Sequence, residues 1–594
     1  MRKSAALTIF CVMAVGIANA QSLFSDSVLL QEVEINVKRA EENPAGSNQV
    51  LLDSAILSSP SSGNLGKVLA ENSGIFVKTY GQGALASVSF RGSGASHTGV
   101  YWNGFSLNSA MNGMVDLSLL PIAFYDQVEI DYGNSSIEKG AGGLGGSIDL
   151  RSQPNFQEKL RLNVHQSIGS YGHFGTFAKM GIGNKKWHSM SRLYRQSARN
   201  DFHYKNLGKE GFPREKQRNA EVQQEGLMQS IYFRPNDKNL LKLEAWYLNS
   251  DRQIPSIMTV GNKGEVQKDE AVRVLVSGKH YFGKGSVEVA GNYQHEYLNY
   301  SNKMLAQSSK TSTVNFQNRA DAEYRFSSNL KLKAQLQIST EFLNNANYST
   351  NKNQWRQSSY LSAAYKLRKF DVEVFAREEW LKERQVHLLP GAAVRYALDE
   401  NSRWQIGGSI AKNVKYPTLN DMYWLPAGNP DLQSEESTNM EIQLSRIDPI
   451  INSRWTSAFT LTVFHYNIHN YIQWQPTAFG YWRARNLKEI KSQGVELYGQ
   501  IQYAANGTSL KLRGSYSYTS SVNTKALNEK VNDESIGKQL FYVPEHLWNI
   551  HLKVERRKYW LQLGQHFTGY RYTTSDNSDF LPSFSLLNIK LGKT

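Results

Sequence analysis

The side chains able to do chemistry in this 594-residue sequence are dispersed rather than clustered. His465 and His469 share one face of an alternating segment, but extended chain separates them by about 13 Å at ~3.3 Å per residue, too far to chelate one metal. Asp576 and Asp579 lack the further ligands of a calcium loop. Gly140, Gly142 and Gly145 spell GxGxxG, yet the strand-like run Ser147-Ile148-Asp149-Leu150 follows where a dinucleotide site requires a helix. No local signature joins a nucleophile, a base and an orienting group, so no catalytic residue, metal or cofactor is assigned and an enzyme is not expected. Ion pairing remains. In Met440-Glu441-Ile442-Gln443-Leu444 the apolar residues share one face, which sends Glu441 and Gln443 to the other, and the same parity turns Glu496 and Tyr498 inward. Arg91 stands ahead of Gly92-Ser93-Gly94. A bidentate contact from Arg91 to these glutamates would fix two segments in orientation and still yield to a pull. A hydrated glutamate without a partner is the alternative.

These residues must be positioned by strands. From about residue 158 onward, segments of some ten alternating residues repeat between polar breaks. Leu330, Leu332, Ala334, Leu336 and Ile338 alternate with Lys331, Lys333, Gln335 and Gln337; Leu510, Leu512, Gly514, Tyr516 and Tyr518 alternate with Lys511, Arg513, Ser515 and Ser517. About 20 or 21 such segments in series suit a membrane β-barrel, with apolar residues toward lipid and polar ones toward a wet lumen. Short breaks such as 327–329 and 556–557 suit periplasmic turns; the stretches 199–222, 412–432 and 520–537 suit extracellular loops. The composition agrees: 31 Tyr and 12 Trp against 15 Pro, mean hydropathy −0.50, and no later run apolar enough for a spanning helix.

The first twenty residues carry Arg2 and Lys3, an apolar run over 5–17, then Ala18-Asn19-Ala20, the form of a cleaved signal peptide. The one cysteine, Cys11, lies within it, so disulfides are not expected to hold the mature chain. The formal charge is +15. Export removes the chain from nucleic acid, and the dispersed basic residues suit a lipopolysaccharide-facing surface or plain solubilisation.

Residues 22–153 read as a small mixed domain, with short strands at 75–78, 88–91, 99–102 and 128–131. A helix at 65–72 has Asn64 as N-cap and Gly74 after its last turn. In this part Phe90-Arg91-Gly92-Ser93-Gly94, Tyr101-Trp102-Asn103-Gly104, Val128-Glu129-Ile130 and the run from Gly140 to Leu150 occur in order. The later half carries Tyr416-Pro417-Thr418-Leu419-Asn420, Gly428-Asn429-Pro430-Asp431-Leu432 and Tyr542-Val543-Pro544-Glu545-His546. Together they resemble the TonB-dependent outer-membrane receptors. The stretch Arg91-Gly92-Ser93-Gly94-Ala95-Ser96-His97, with Asp116-Leu117-Ser118-Leu119-Leu120-Pro121-Ile122-Ala123 after it, is similar to the plug of the vitamin B12 (cobalamin) receptor subgroup in particular. The glycines of the plug are expected to allow tight turns and close approach to the barrel wall.

The resemblance implies a signal peptide at 1–20, an N-terminal segment at 21–40, a mixed α/β plug at 41–153 and an all-β transmembrane barrel at 154–594 in the Gram-negative outer membrane. It implies 22 antiparallel strands. Because the chain stops at Leu591-Gly592-Lys593-Thr594 without the family's terminal aromatic residue, the last two strands are expected to be missing, with a gap beside 159–166. Glu32-Val33-Glu34-Ile35-Asn36-Val37 resembles a TonB box, the segment that adds a strand to the sheet of TonB, the energy-coupling partner; the plug's first strand is the other reading. Two apical loops, Tyr80-Gly81-Gln82-Gly83 and Ser109-Ala110-Met111-Asn112-Gly113, are expected to meet the ligand, and Arg91, Glu441 and Glu496 to latch plug to wall. Cobalamin ranks first as solute and a ferric siderophore second; haem is disfavoured, since no histidine falls between Pro417 and Asn429. A surface lipoprotein is a further conceivable partner, and a passive pore or adhesin would need no plug. Deleting 32–37 is expected to abolish energised uptake while leaving surface binding unchanged; uptake that survives the deletion refutes the TonB-box reading.

Overall fold

The computed structural model describes residues 45, 48–52, 54–57, 63–79, 81, 83–256, 258, 264–302, 304, 307–448, 454–476, 482–525 and 533–593. The leader, the segment 32–37, Tyr80 and Gln82 lie outside these. Among the described residues, twenty antiparallel strands follow one another around a closed sheet, from Leu160–Gly169 to Phe584–Lys593. Consecutive strands are neighbours apart from two small accessory hairpins, and the order closes with the last strand beside the first. At one end the connections are short, as at 237–238, 283–284, 368–369 and 506–507; at the other they are long, as at 199–221, 416–434 and 524–545. This is the alternation that a chain threading back and forth across a bilayer requires.

The parity read from the sequence holds. Leu332, Leu336 and Leu512 are exposed on the outer face, while Arg513 reaches inward to Asn72 at 2.6 Å and Lys333 to Glu138 at 3.0 Å. The twenty strands are the number left by the expected 22 once the last two are missing. The order sets the last strand beside the first where a gap was expected at 159–166. Phe584–Lys593 is in register with Tyr559–Thr568 and Leu160–Gly169 with His173–Gly183, but among the described residues no run of paired residues joins these two strands to each other. That seam is the most accessible part of the wall, with Ile168 81% and Leu591 76% exposed.

Inside the barrel stands a five-stranded sheet in the order Asn48–Leu51, Gln127–Tyr132, Gly146–Arg151, Thr98–Trp102, Phe105–Ser106. The pair Thr98–Trp102 and Gly146–Arg151 is parallel. A hairpin, Phe76–Thr79 with Ala86–Ser89, and the helix Leu65–Asn72 pack beside it. The helix begins where the Asn64 side chain accepts from the Lys67 amide at 3.0 Å, and its Leu65, Val68 and Leu69 are buried. The strand expected at 88–91 instead ends at Ser89, because Arg91 and Gly92 turn into the left-handed region at φ 48° and 73°. In the glycine run the plug backbone approaches the wall, with Asn413 donating to the Gly143 carbonyl and Asn439 to that of Leu144, each at 3.2 Å. Gly145 instead faces the plug interior, where a Cβ would stand 2.6 Å from Ser93 Oγ and 2.8 Å from Phe90 O.

The plug's apolar core continues into the wall. Phe124 meets Tyr194 and Trp246 edge-on at 6.3 and 5.9 Å, and Trp102 meets Trp246 at 5.6 Å. Met228, Leu248 and Leu275 join the same buried cluster, so one core spans two architectural layers. Phe124→Ala is therefore expected to weaken plug docking by about 3–5 kcal/mol, the usual loss for a buried aromatic ring. Urea-induced plug release, followed by protease sensitivity, checks this; an unchanged midpoint counts against a shared core.

Candidate functional site

Three consecutive wall strands, Glu435–Ile447, Trp455–Pro476 and Trp482–Ala505, converge on one plug residue. Arg91 donates through Nε and Nη2 to the two carboxylate oxygens of Glu496 at 2.9 and 2.7 Å, a fork-to-fork contact. Its Nη1 lies 3.1 Å from Glu441 Oε2 and also bonds the Tyr466 hydroxyl, which in turn donates to Glu441 Oε1 at 3.1 Å. The guanidinium lies 4.6 Å from the centre of the Phe464 ring. Burial pushes the Arg91 pKa down, but the carboxylates of Glu441 and Glu496 outweigh it and hold the group well above its ordinary value. The turn that presents Arg91 is held as well, with Ser492 Oγ donating to its carbonyl at 2.5 Å.

A second plug segment closes the site. The Asn134 amide donates to Glu441 Oε1 at 2.8 Å, and its side chain to Ser409 at 3.0 Å. Gly133 beside it has φ 55°, and a Cβ there would fall on Glu441, Tyr466 and Arg91 together. Only glycine fits this position.

Further plug-to-wall contacts, at His97, Asp116 and Asp126, escaped sequence reasoning. His97 is buried and bonds Glu435 through Nε2; because the Gly94 amide donates to its Nδ1 at 2.9 Å, the proton belongs on Nε2. Lys415 approaches the same carboxylate at 3.5 Å, and Tyr471 stacks on the imidazole at 5.3 Å. Arg252 joins Asp116 at 2.6 Å. Arg192 and Lys179 hold Asp126 at 2.5 and 2.6 Å. Burial pushes Asp126 up, yet the two cations outweigh it and keep it below the usual carboxylate range. Strand parity makes Glu435 an inward residue, as it does Glu441, but nothing in the sequence marks which plug residue meets it.

The apical loop Ser109–Gly113 is half-buried rather than free, because an outer segment folds down upon it. The amides of Leu419 and Asn420 donate to the carbonyls of Ala110 and Met111 at 3.2 and 2.8 Å. They belong to a short helix, Leu419–Tyr423, capped reciprocally by Thr418 and Asp421. Met111 and Ala110 pack with Leu343, Tyr348 and Met422. In the other apical loop Gly81 is exposed, and Gly83 lies against the Val222 side chain. Among the described residues no group of three or more metal-ligating side chains stands together. His465 shares the outward parity of exposed Val463, and Asp576 caps its own turn by accepting from Ser578 Oγ at 2.8 Å.

Residues 40–147 match the family model described as TonB-dependent Receptor Plug Domain, and 170–594 match that described as TonB dependent receptor-like, beta-barrel. The Vitamin B12 transporter BtuB of Photobacterium profundum is 23% identical over 545 residues, covering 89% of this chain and 82% of that one. In fold the chain is similar to the siderophore receptor PirA of Acinetobacter baumannii, with a TM-score of 0.73 at 13% identity over 92% of each chain. It is likewise similar to the FrpB iron transporter of Neisseria meningitidis, with a TM-score of 0.74 at 12% identity over 93% of each.

Glu496→Ala would remove the bidentate partner of a buried guanidinium and leave it Glu441 and Tyr466 on one side only, and breaking a buried pair costs up to about 3–5 kcal/mol. The plug of that variant is expected to leave the barrel at lower urea or lower pulling force. In a double-mutant cycle, Arg91→Ala with Glu496→Ala should cost less than the sum of the two single changes. Additive effects would separate the two residues energetically.

Proposed function

Since the chain belongs to the TonB-dependent receptor family and serves TonB-dependent transport across the outer membrane, we propose that the solute it imports is cobalamin. The observation that carries this reading is the likeness to a vitamin B12 transporter along 545 residues, which spans plug and barrel alike. The family is one of transporters and receptors, not enzymes, and its barrel places the protein in the outer membrane. A ferric siderophore is the second reading, favoured by the siderophore receptors among the solved structures of the same fold, although at 12–14% identity they speak for the fold alone.

The proposed cycle follows from the plug contacts. A large solute meets the outer face, where Asn112 and its neighbours offer amide and backbone groups suited to the amide side chains of a corrin. The solute then has no passage while the plug is docked. TonB engages the segment 32–37 and pulls, and the pull must break the Arg91 pairs with Glu441 and Glu496. Ion pairs suit such a latch: they are strong while dry and lose their strength once water enters. Plug and wall are thus joined firmly at rest and released by work.

Binding of cyanocobalamin and of a panel of ferric siderophores to the purified protein, side by side, tests the solute. Cyanocobalamin is expected to bind, and Asn112→Ala to weaken it while energised uptake of what is bound continues. A siderophore that binds where cyanocobalamin does not would reverse the ranking.

A further inference from the structure

The plug is fastened unevenly around its circumference. Along the strands from Trp187–Ala198 to Gly285–Asn302 it is joined by the shared apolar core and by Arg192, Arg252 and Glu244. Along those from Glu435–Ile447 to Tyr559–Thr568 it is joined by Arg91, His97 and the helix end at Asn72 and Ser73. The arc between them, from Gln307–Arg325 to Trp404–Lys415, differs in kind. Here a polar cavity separates plug from wall, and Gln317, Gln337, Ser339, Gln354, Arg356 and Ser358 face it.

The cavity has a roof and a floor. Its roof is the apical loop Ser109–Gly113 together with Pro417 and Thr418, the segment that leads into the outer helix. Below, Arg377 crosses the gap to donate to the plug carbonyls of Ile137 and Glu138 at 2.7 and 2.9 Å, and Lys333 pairs with the Glu138 carboxylate at 3.0 Å. Burial pushes the Glu138 carboxyl up, but Lys333 and Lys139 outweigh it and hold it down at about 2. Ile137 also packs on Tyr360. The floor is thus two long cationic side chains and one small apolar contact, and beside it the arc holds the plug by further hydrogen bonds, from Gln317 to the Ser106 carbonyl at 2.9 Å, Arg319 to that of Asn103 at 3.1 Å and Asn413 to that of Gly143 at 3.2 Å. Long side chains that hold backbone carbonyls can swing away without unfolding the plug strands.

We propose that the solute passes the plug along this arc, pausing in the polar vestibule between the apical loop and an inner gate made by Arg377, Lys333 and Glu138. The wall there presents side-chain amides and hydroxyls together with the guanidiniums of Arg356 and Arg377, the carboxylates of Glu341 and Glu379 and the Lys415 ammonium, which suits a polar solute rich in amide or hydroxyl groups. The route rests on the transport reading, and on the cobalamin reading only for the choice of probe.

Cys11 is the chain's one cysteine, so in a Cys11→Ser background each introduced thiol is the sole target. Ser339→Cys reports the vestibule; Ser230→Cys, beneath Arg192 on another arc, is the control. In purified protein, adding Arg377→Ala or Lys333→Met to Ser339→Cys is expected to raise labelling by a small methanethiosulfonate reagent roughly tenfold, a shift of ~1.4 kcal/mol in gate opening. Labelling unchanged by both substitutions, with heat-modifiable mobility confirming folded barrels, overturns the gate. In whole cells, energised transport should accelerate labelling of Ser339→Cys and leave Ser230→Cys unchanged. Acceleration with a ferric siderophore but not cyanocobalamin sustains the route and overturns the cobalamin reading. Acceleration of Ser230→Cys alone overturns the route.

Discussion

The structure depends on one cost: in hydrocarbon, a backbone amide or carbonyl without a partner is penalised by several kcal/mol. A sheet that closes on itself answers this for the whole wall, and twenty strands do so here. Closure has a second effect. Because side chains alternate across each strand, the outer face must suit lipid and the inner face is left to polar groups. The lumen is therefore lined with glutamates, arginines and glutamines before any question of function arises. A domain standing in that lumen must be held largely by hydrogen bonds and ion pairs, and these are the interactions that mechanical work and entering water can undo.

The apolar contact at Trp102, Phe124 and Trp246 qualifies this picture usefully. It fastens one side of the plug by burial, which a local pull does not weaken as it weakens an ion pair. The ionic contact at Arg91 lies on a different arc. A force applied to the N-terminal side of the plug thus acts on joints of unequal character, and the domain has reason to hinge rather than leave as a rigid piece. Gly133, lodged against the Arg91 cluster, ties this joint to the plug's central sheet through the adjoining strand Gln127–Tyr132.

Much of this was legible in the sequence because period-2 alternation is a local signal. It placed Leu336 outside and Arg513 inside, and it turned Glu441 and Glu496 toward the lumen without any knowledge of their partner. The helix Leu65–Asn72 was equally local, marked by its cap. What parity cannot supply is register around the ring. Alternation counted about 20 or 21 strands where twenty stand, yet the pairing of His97 with Glu435 joins positions far apart in the chain with no motif to link them. The segment after Lys415 looked like an outer loop from its prolines and polar residues; that it folds back over Ala110 and Met111 depends on backbone hydrogen bonds, which leave no trace in residue type.

The distance along the chain between the partners of the main ionic contact has a consequence for biogenesis. Arg91 and Glu496 are 405 residues apart, and Glu441 receives the Asn134 amide across 307. Contacts of such sequence separation form late, since the intervening chain must first be ordered. The plug is synthesised before the strands that receive it, so its docking surface does not exist when it emerges. It must wait, in the compartment between the membranes, until three particular strands have been laid side by side. The order of docking is thereby tied to the last of its partners rather than to the order of translation, since the contact can close only once Glu435–Ile447, Trp455–Pro476 and Trp482–Ala505 stand together.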